Sequence, residues 1–369
     1  MAKSALSLGL GLILTGPITG VSWAQNHYLQ TNLVSDNNNA AVAPSNDPNL
    51  LNPWGIANIA GGPFWISDNG SGFSSLYDGR GTSVAALPKV TIPAASISGS
   101  AAASPDGIVW QGNPLLFNAP SASSCIFIFA TEDGTISCWA PGNFTNPAVI
   151  TAAQLIIDNQ DSDQKTSPVF KGLAIGTNSR DTFIFATDFR NRRVVAWNSA
   201  FGLDETLTSA FRDAAIPKTF APFGIQNIAG DIWVTYAQQD AAKHDPIHGA
   251  GLGFVDVFNT NGKLLQRFAS AGVLNAPWGV TRAPVKFGQF SNDILISDFG
   301  DGTISGWDPT TGGFIDWMRD KKNTVIVNDS VWGLIFGGDA LSANSGVLYF
   351  TAGLVNEGDG LFGTLTPTK

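Results

Sequence analysis

The chain is short of charge, of sulfur and of recognisable catalytic signatures, and each shortage removes a class of function. Only 13% of its 369 residues are charged, and 20 Lys and Arg against 29 Asp and Glu leave a formal charge of -9. General affinity for nucleic acid or anionic lipid needs clustered cations, so neither partner is expected. The one basic knot, Arg190-Asn191-Arg192-Arg193, reads as a solvated hairpin turn. The sequence contains no Gly-x-Ser-x-Gly elbow, no His-Glu-x-x-His, no phosphate-binding Gly-rich loop ending in Lys-Ser/Thr and no dinucleotide fingerprint. Nucleotide and nicotinamide chemistry are thereby set aside. Beyond the first two dozen residues no apolar run reaches the roughly 20 residues needed to span a bilayer. The two cysteines, Cys125 and Cys138, fall in adjacent predicted strands of one hairpin. A cross-strand disulfide and two buried thiols both fit there, because sequence does not fix register.

What is present argues for a folded, all-β chain. The low charge is combined with 24 Phe and 11 Trp that must be hidden from water, which excludes disorder. The 41 Gly and 20 Pro favour many short strands joined by tight turns. At the N-terminus, Lys3 precedes an apolar stretch from Leu6 to Thr19 broken by Pro17, and Ser22-Trp23-Ala24 fits a small-x-small cleavage site. Residues 1–24 are therefore expected to be a signal peptide, and 25–369 a secreted, monomeric domain.

Self-similarity is the informative signal. A bulky or polar residue, a glycine and an aliphatic recur six times: Trp54-Gly55-Ile56, Asp106-Gly107-Ile108, Lys171-Gly172-Leu173, Phe223-Gly224-Ile225, Trp278-Gly279-Val280 and Trp332-Gly333-Leu334. The glycines stand 52 to 65 residues apart. After each comes an apolar strand such as Phe64-Trp65-Ile66-Ser67 or Ile294-Leu295-Ile296-Ser297, then a shorter strand ending in an aromatic in five copies, and in most copies a fourth. Units of four antiparallel strands at this period predict a six-bladed β-propeller. The last copy ends after three strands, so Tyr28 to Val34 is expected to supply its outer strand and close the ring.

The segments Leu51-Asn52-Pro53-Trp54-Gly55, Thr131-Glu132-Asp133-Gly134-Thr135-Ile136, Phe170-Lys171-Gly172-Leu173-Ala174, Lys243-His244-Asp245, Ala276-Pro277-Trp278-Gly279 and Asp298-Phe299-Gly300-Asp301-Gly302-Thr303-Ile304 extend this pattern. In these the chain resembles a conserved hypothetical family of secreted proteins with a propeller of NHL-like or TolB-like type. The resemblance implies a fold and an extracellular location but carries no catalytic residues. Many bacterial members end in a sorting tail, which is missing at Lys369, so release is expected.

In a propeller the loops entering the innermost strand and those joining the second and third strands open on one face. The first set offers Asn52, Trp54, Asp106, Lys171, Phe223, Asn275, Trp278 and Trp332. The second offers Asp68, Asn69, Glu132, Asp133, Asp188, Arg190, Asp240, His244, Asp245, His248, Asp298 and Asp301. Most such aspartates brace their own turns. By analogy with other propellers Ca²⁺ is the candidate ion, with Asp106, Asn52 and Asn275 as ligands to test. The tryptophans either stack on a ligand or pack between blades, and recurrence at one repeat position favours packing. His244 and His248 suggest a transition metal less strongly than a solvated loop, since Pro246 argues against a helix aligning them. Two functions follow: an extracellular module binding a small molecule, glycan or protein at this face, or a metal-assisted hydrolase, lactonase or lyase acting in the channel.

Overall fold

Every repeat opens on a strand broken by a bulge at its glycine. In the computed structural model the pairing register slips between Pro53 and Ile56, Pro105 and Ile108, Phe170 and Leu173, Pro222 and Ile225, Pro277 and Val280, and Val331 and Leu334. The structure describes residues 27–368 apart from 38–41, 98, 100–102, 122, 142–149, 161–164 and 342–343. The signal peptide expected over 1–24 lies outside the described residues.

The glycines are there for contact. A Cβ on Gly55 would overlap the Asp106 carbonyl, one on Gly107 the backbone at Leu173, one on Gly224 the Trp278 carbonyl, one on Gly279 the Trp332 carbonyl and one on Gly333 the Trp54 carbonyl. Gly172 has slightly more room against blade four. Each blade thus presses its bulge on the backbone of the next, and the sixth returns to the first. Hydroxyls on the second strands stitch the same contacts. Thr351 Oγ1 accepts from Gly333 N and donates to Trp54 O at 2.6 Å, and Ser297 Oγ does the same between Gly279 N and Trp332 O.

Six antiparallel sheets result. Blade one comprises Pro53–Asn58, Phe64–Asp68, Phe73–Tyr77 and Lys89–Thr91, and blade two Pro105–Trp110, Phe127–Thr131, Thr135–Trp139 and Gln154–Asp158. Blade three has Phe170–Thr177, Thr182–Asp188 and Arg193–Trp197, with the short helix Glu205–Thr208 against the last of them. Blade four has Phe220–Ile228, Asp231–Gln239, Gly253–Phe258 and Leu264–Ser270, with Pro246–Ile247 paired beside the second strand. Blade five has Pro277–Arg282, Ile294–Asp298, Thr303–Trp307 and Phe314–Trp317. Blade six contains Val331–Phe336, Leu348–Ala352 and Leu361–Pro367, and its outer strand is Tyr28–Ser35, paired antiparallel to Leu361–Pro367. The expected closure is therefore formed.

Apolar clusters fill the spaces between neighbouring blades, for example Trp65, Phe127 and Phe129 between blades one and two. Cys125 and Cys138 form a disulfide with their Cα atoms 5.6 Å apart, which resolves the alternative left by the sequence. No helix among the described residues is long and apolar enough to cross a membrane.

Candidate functional site

The bulged strands bring their aromatic residues to the propeller axis. Asn52, Ala276 and Ser330, each two residues before a tryptophan, have φ of 46°, 48° and 51°, and this left-handed step turns the following segment inward. Trp54, Trp278 and Trp332 are consequently inside the first strands and buried, with Phe223 and Phe299 beside them. Trp332 is stacked between Trp54 at 3.7 Å and Phe299 at 4.1 Å, while Trp278 meets it edge-on at 5.8 Å. These rings plug the channel. Below them, within the ring of glycines and aliphatics, is a cavity of about 30 Å³, room for one water. The preference for packing over ligand stacking agrees with this placement.

Above the plug, polar side chains form a chain that crosses five blades. Glu357 of blade six accepts from Asn52 Nδ2 at 3.0 Å, and Asn52 Nδ2 also reaches Asn69 Oδ1 at 3.4 Å. Asn69 Nδ2 donates to Glu132 Oε2 at 2.9 Å, and the other oxygen of Glu132 pairs directly with Lys171 Nζ. Lys171 Nζ also donates to Asp245 Oδ1 at 3.3 Å, and His244 Nδ1 lies 2.8 Å from the same oxygen. The ammonium sits 5.1 Å above the ring of Trp54, and the plug is tied to the chain by Trp278 Nε1 donating to Lys171 O and Trp332 Nε1 to Asn52 Oδ1.

Lys171 is 1% exposed. Burial alone would lower its pKa, but Glu132 and Asp245 outweigh it and hold the ammonium above the usual lysine range. The hydrogen bond from His244, joined by the nearby Lys171 charge, pulls Asp245 well below the usual carboxylate range. Asp106, fully buried in blade two, is pushed well up by burial, against a hydrogen bond from Gly107 N and with Glu132 adding repulsion. Its Oδ2 and the Nε1 of Trp54 have no hydrogen-bond partner among the described residues. An acceptor and a donor are thus left unused at the base of this network.

The remaining expected residues have local duties. Asp188 Oδ2 accepts from Asn191 Nδ2 and Arg193 Nε, and Asp298 Oδ1 from Asn275 N, so both brace loops. Asn275 Oδ1 accepts from Gly249 N at 2.6 Å, and Asn52 Oδ1 is taken by Trp332. The amide oxygens proposed as Ca²⁺ ligands beside Asp106 are therefore engaged within the protein. His248 does not join His244 but lies edge-on to Phe299 at 4.8 Å. The three groups that do converge are Glu132, His244 and Asp245, whose ligand atoms lie within 4.8 Å of one another. Sequence reasoning missed Glu357. It stands in the second loop of blade six, where Val355, Asn356 and Glu357 have φ of 57°, 51° and 66°, and that loop has no acidic residue at or just after the end of its second strand, where the other blades have Asp68, Glu132, Asp188, Asp240 and Asp298. Counting that loop as equivalent to its five counterparts would have found it.

No family model matches the chain. It is 29% identical over 357 residues to an uncharacterised protein of Acanthamoeba polyphaga mimivirus, covering 95% of this chain and 82% of that one. A second uncharacterised protein of the same virus is 28% identical over 360 residues, covering 95% and 87%. Among solved structures the chain is similar to a glucose dehydrogenase at a TM-score of 0.54 and 13% identity, over 91% of this chain and 98% of the other. At that identity the likeness is one of fold, and the chain is accordingly a six-bladed propeller with uncharacterised relatives in Acanthamoeba polyphaga mimivirus.

Proposed function

We propose that this propeller is a secreted binding module, of the hypothetical family its motifs resemble, that holds a small polar molecule or glycan end at the plugged mouth of its channel. The observation that carries the reading is Lys171: a fully buried ammonium paired with Glu132 and Asp245, at the centre of a hydrogen-bonded chain contributed by five blades. Burying a charge is costly and adds little net stability compared with an apolar core. A network whose outer members, His244 and Asp245, face solvent while its base carries an unused donor and acceptor is suited to hydroxyl or amine groups of a ligand. The 30 Å³ space beneath the plug favours the mouth over the channel as the place of binding. The disulfide fits an oxidising, extracellular setting.

A calorimetric screen of mono- and oligosaccharides and small amines tests this reading. A hit should bind wild type and be weakened by Glu132→Gln, which removes charge while keeping shape.

The convergence of Glu132, His244 and Asp245 supports a second reading, a divalent-cation site that assists hydrolysis. The Lys171 ammonium already neutralises two of these three groups, so the metal would have to displace it. Titration with Zn²⁺ and Ca²⁺ separates the two: this reading requires a 1:1 site that His244→Ala removes, together with ester or lactone hydrolysis abolished by chelator.

A further inference from the structure

The cationic knot read from the sequence as a solvated turn lies on the rim of a cavity. Blade three has three strands, and the place beside the last is taken by the helix Glu205–Thr208, capped by Asp204 Oδ1 accepting from Leu207 N. The chain from that helix to the first strand of blade four lines a cavity of about 520 Å³ between the two blades. That volume is within the usual range of small-ligand pockets.

Its floor is apolar and fixed. Phe211 packs edge-on against Phe185 at 5.1 Å and against Phe258 at 5.4 Å, Phe220 packs on Phe254 at 4.8 Å, and Ile216 and Tyr236 are buried beside them. The rim is cationic. Arg192, Arg193, Arg212 and Lys218 line the cavity in a chain whose overall charge is -9. Arg193 is paired with buried Asp188, and Asp213, the one acid on the lining, is spent on Arg267. The Arg192 and Arg212 guanidiniums donate from Nε only to the carbonyls of Phe220 and Ser209, and among the described residues neither they nor Lys218 has a carboxylate partner.

We infer that this cleft is a second ligand site, for a small organic anion with a flat apolar body, whose ring lies on the Phe211 and Phe220 floor while its carboxylate or phosphate meets Lys218 and Arg212. Its chemistry is opposite to that of the acidic mouth, so one ligand does not serve both. Guanidinium and ammonium groups at the rim of an apolar floor give charge-assisted bonds to such a head group. The floor selects the body by area and shape.

The probe is naphthalene-2-carboxylate, titrated calorimetrically into the full chain, with naphthalene-2-methanol and inorganic phosphate as the apolar-only and charge-only controls. Saturable 1:1 binding below about 1 mM is expected for the carboxylate, with both controls weaker by about tenfold or more. The double variant Lys218→Glu/Arg212→Glu, at two exposed positions, should weaken the carboxylate by about tenfold or more. Ala214→Trp, also at an exposed lining position, should block binding by filling the cleft while leaving thermal unfolding unchanged. No saturable binding, equal binding of the neutral alcohol, or binding that survives both variants overturns the inference.

Discussion

Lys171 and Asp106 occupy the same position of their repeats, the residue before the bulge glycine, yet one is satisfied and the other is not. Removing the ammonium in Lys171→Met should leave Glu132 unpaired in a largely buried place and destabilise the fold by about 3 kcal/mol or more, measured by denaturant unfolding. Asp106 behaves oppositely. Its folded-state pKa is raised by burial, so its contribution to stability is fully present below the unfolded value near 3.8 and is lost as the pH rises toward the folded value. Asp106→Asn keeps the acceptor for Gly107 N and removes that loss. The difference in melting temperature between variant and wild type should therefore grow in favour of the variant as the pH rises above about 4. A difference independent of pH would show that Asp106 does not titrate as described. If the variant folds and still binds every mouth ligand with full affinity, Asp106 has no part in the site. These residues were legible as candidates because the repeat marks their positions. The pairing of Lys171 was not, since Glu132 comes from a loop of blade two and Asp245 from one of blade four, and sequence spacing does not reveal which loop tips meet across the axis.

At the scale of the element, the bulge explains why the sequence repeat is centred on glycine. A side chain at this position would strike the next blade's backbone, which gives little. Gly224→Ala, facing the Trp278 carbonyl, should cost about 1–3 kcal/mol or more by overpacking, and Gly172→Ala less, because its neighbours stand farther off. Equal effects at the two positions would argue against backbone contact as the reason for the repeat. The strand order and six-fold count were readable for the same reason: the glycine, the apolar second strand and the aromatic end of the third strand are each imposed by packing against a neighbouring blade. What sequence could not supply was blade three's edge, where a four-residue helix replaces a strand and opens the cleft, because the local sequence Asp204 to Thr208 reports a helix cap and not its tertiary place. The hairpin disulfide joins residues 13 apart, and alkylation of the unfolded, unreduced protein should find no free thiol. Its removal should destabilise by about 3 kcal/mol on the chain-entropy estimate for a loop of this size.

For the whole molecule, ring closure depends on two chain ends that meet in one sheet. The strand Tyr28–Ser35 covers the edge of Leu361–Pro367, and Tyr28 Oη donates to Phe287 O in blade five, fastening the closing strand to a second blade. That closure keeps five loops within reach of one axis and so holds the chain from Glu357 to His244 together. The claim that this mouth is the functional face is tested most directly by titrating a hit from the saccharide and amine screen into three proteins, each held well below its own unfolding transition: wild type, Glu132→Gln at the mouth, and Asp293→Asn in a loop of the opposite face. The account predicts a loss of affinity of about tenfold or more for Glu132→Gln and none for Asp293→Asn. Equal affinities in all three, or a loss confined to Asp293→Asn, would contradict it.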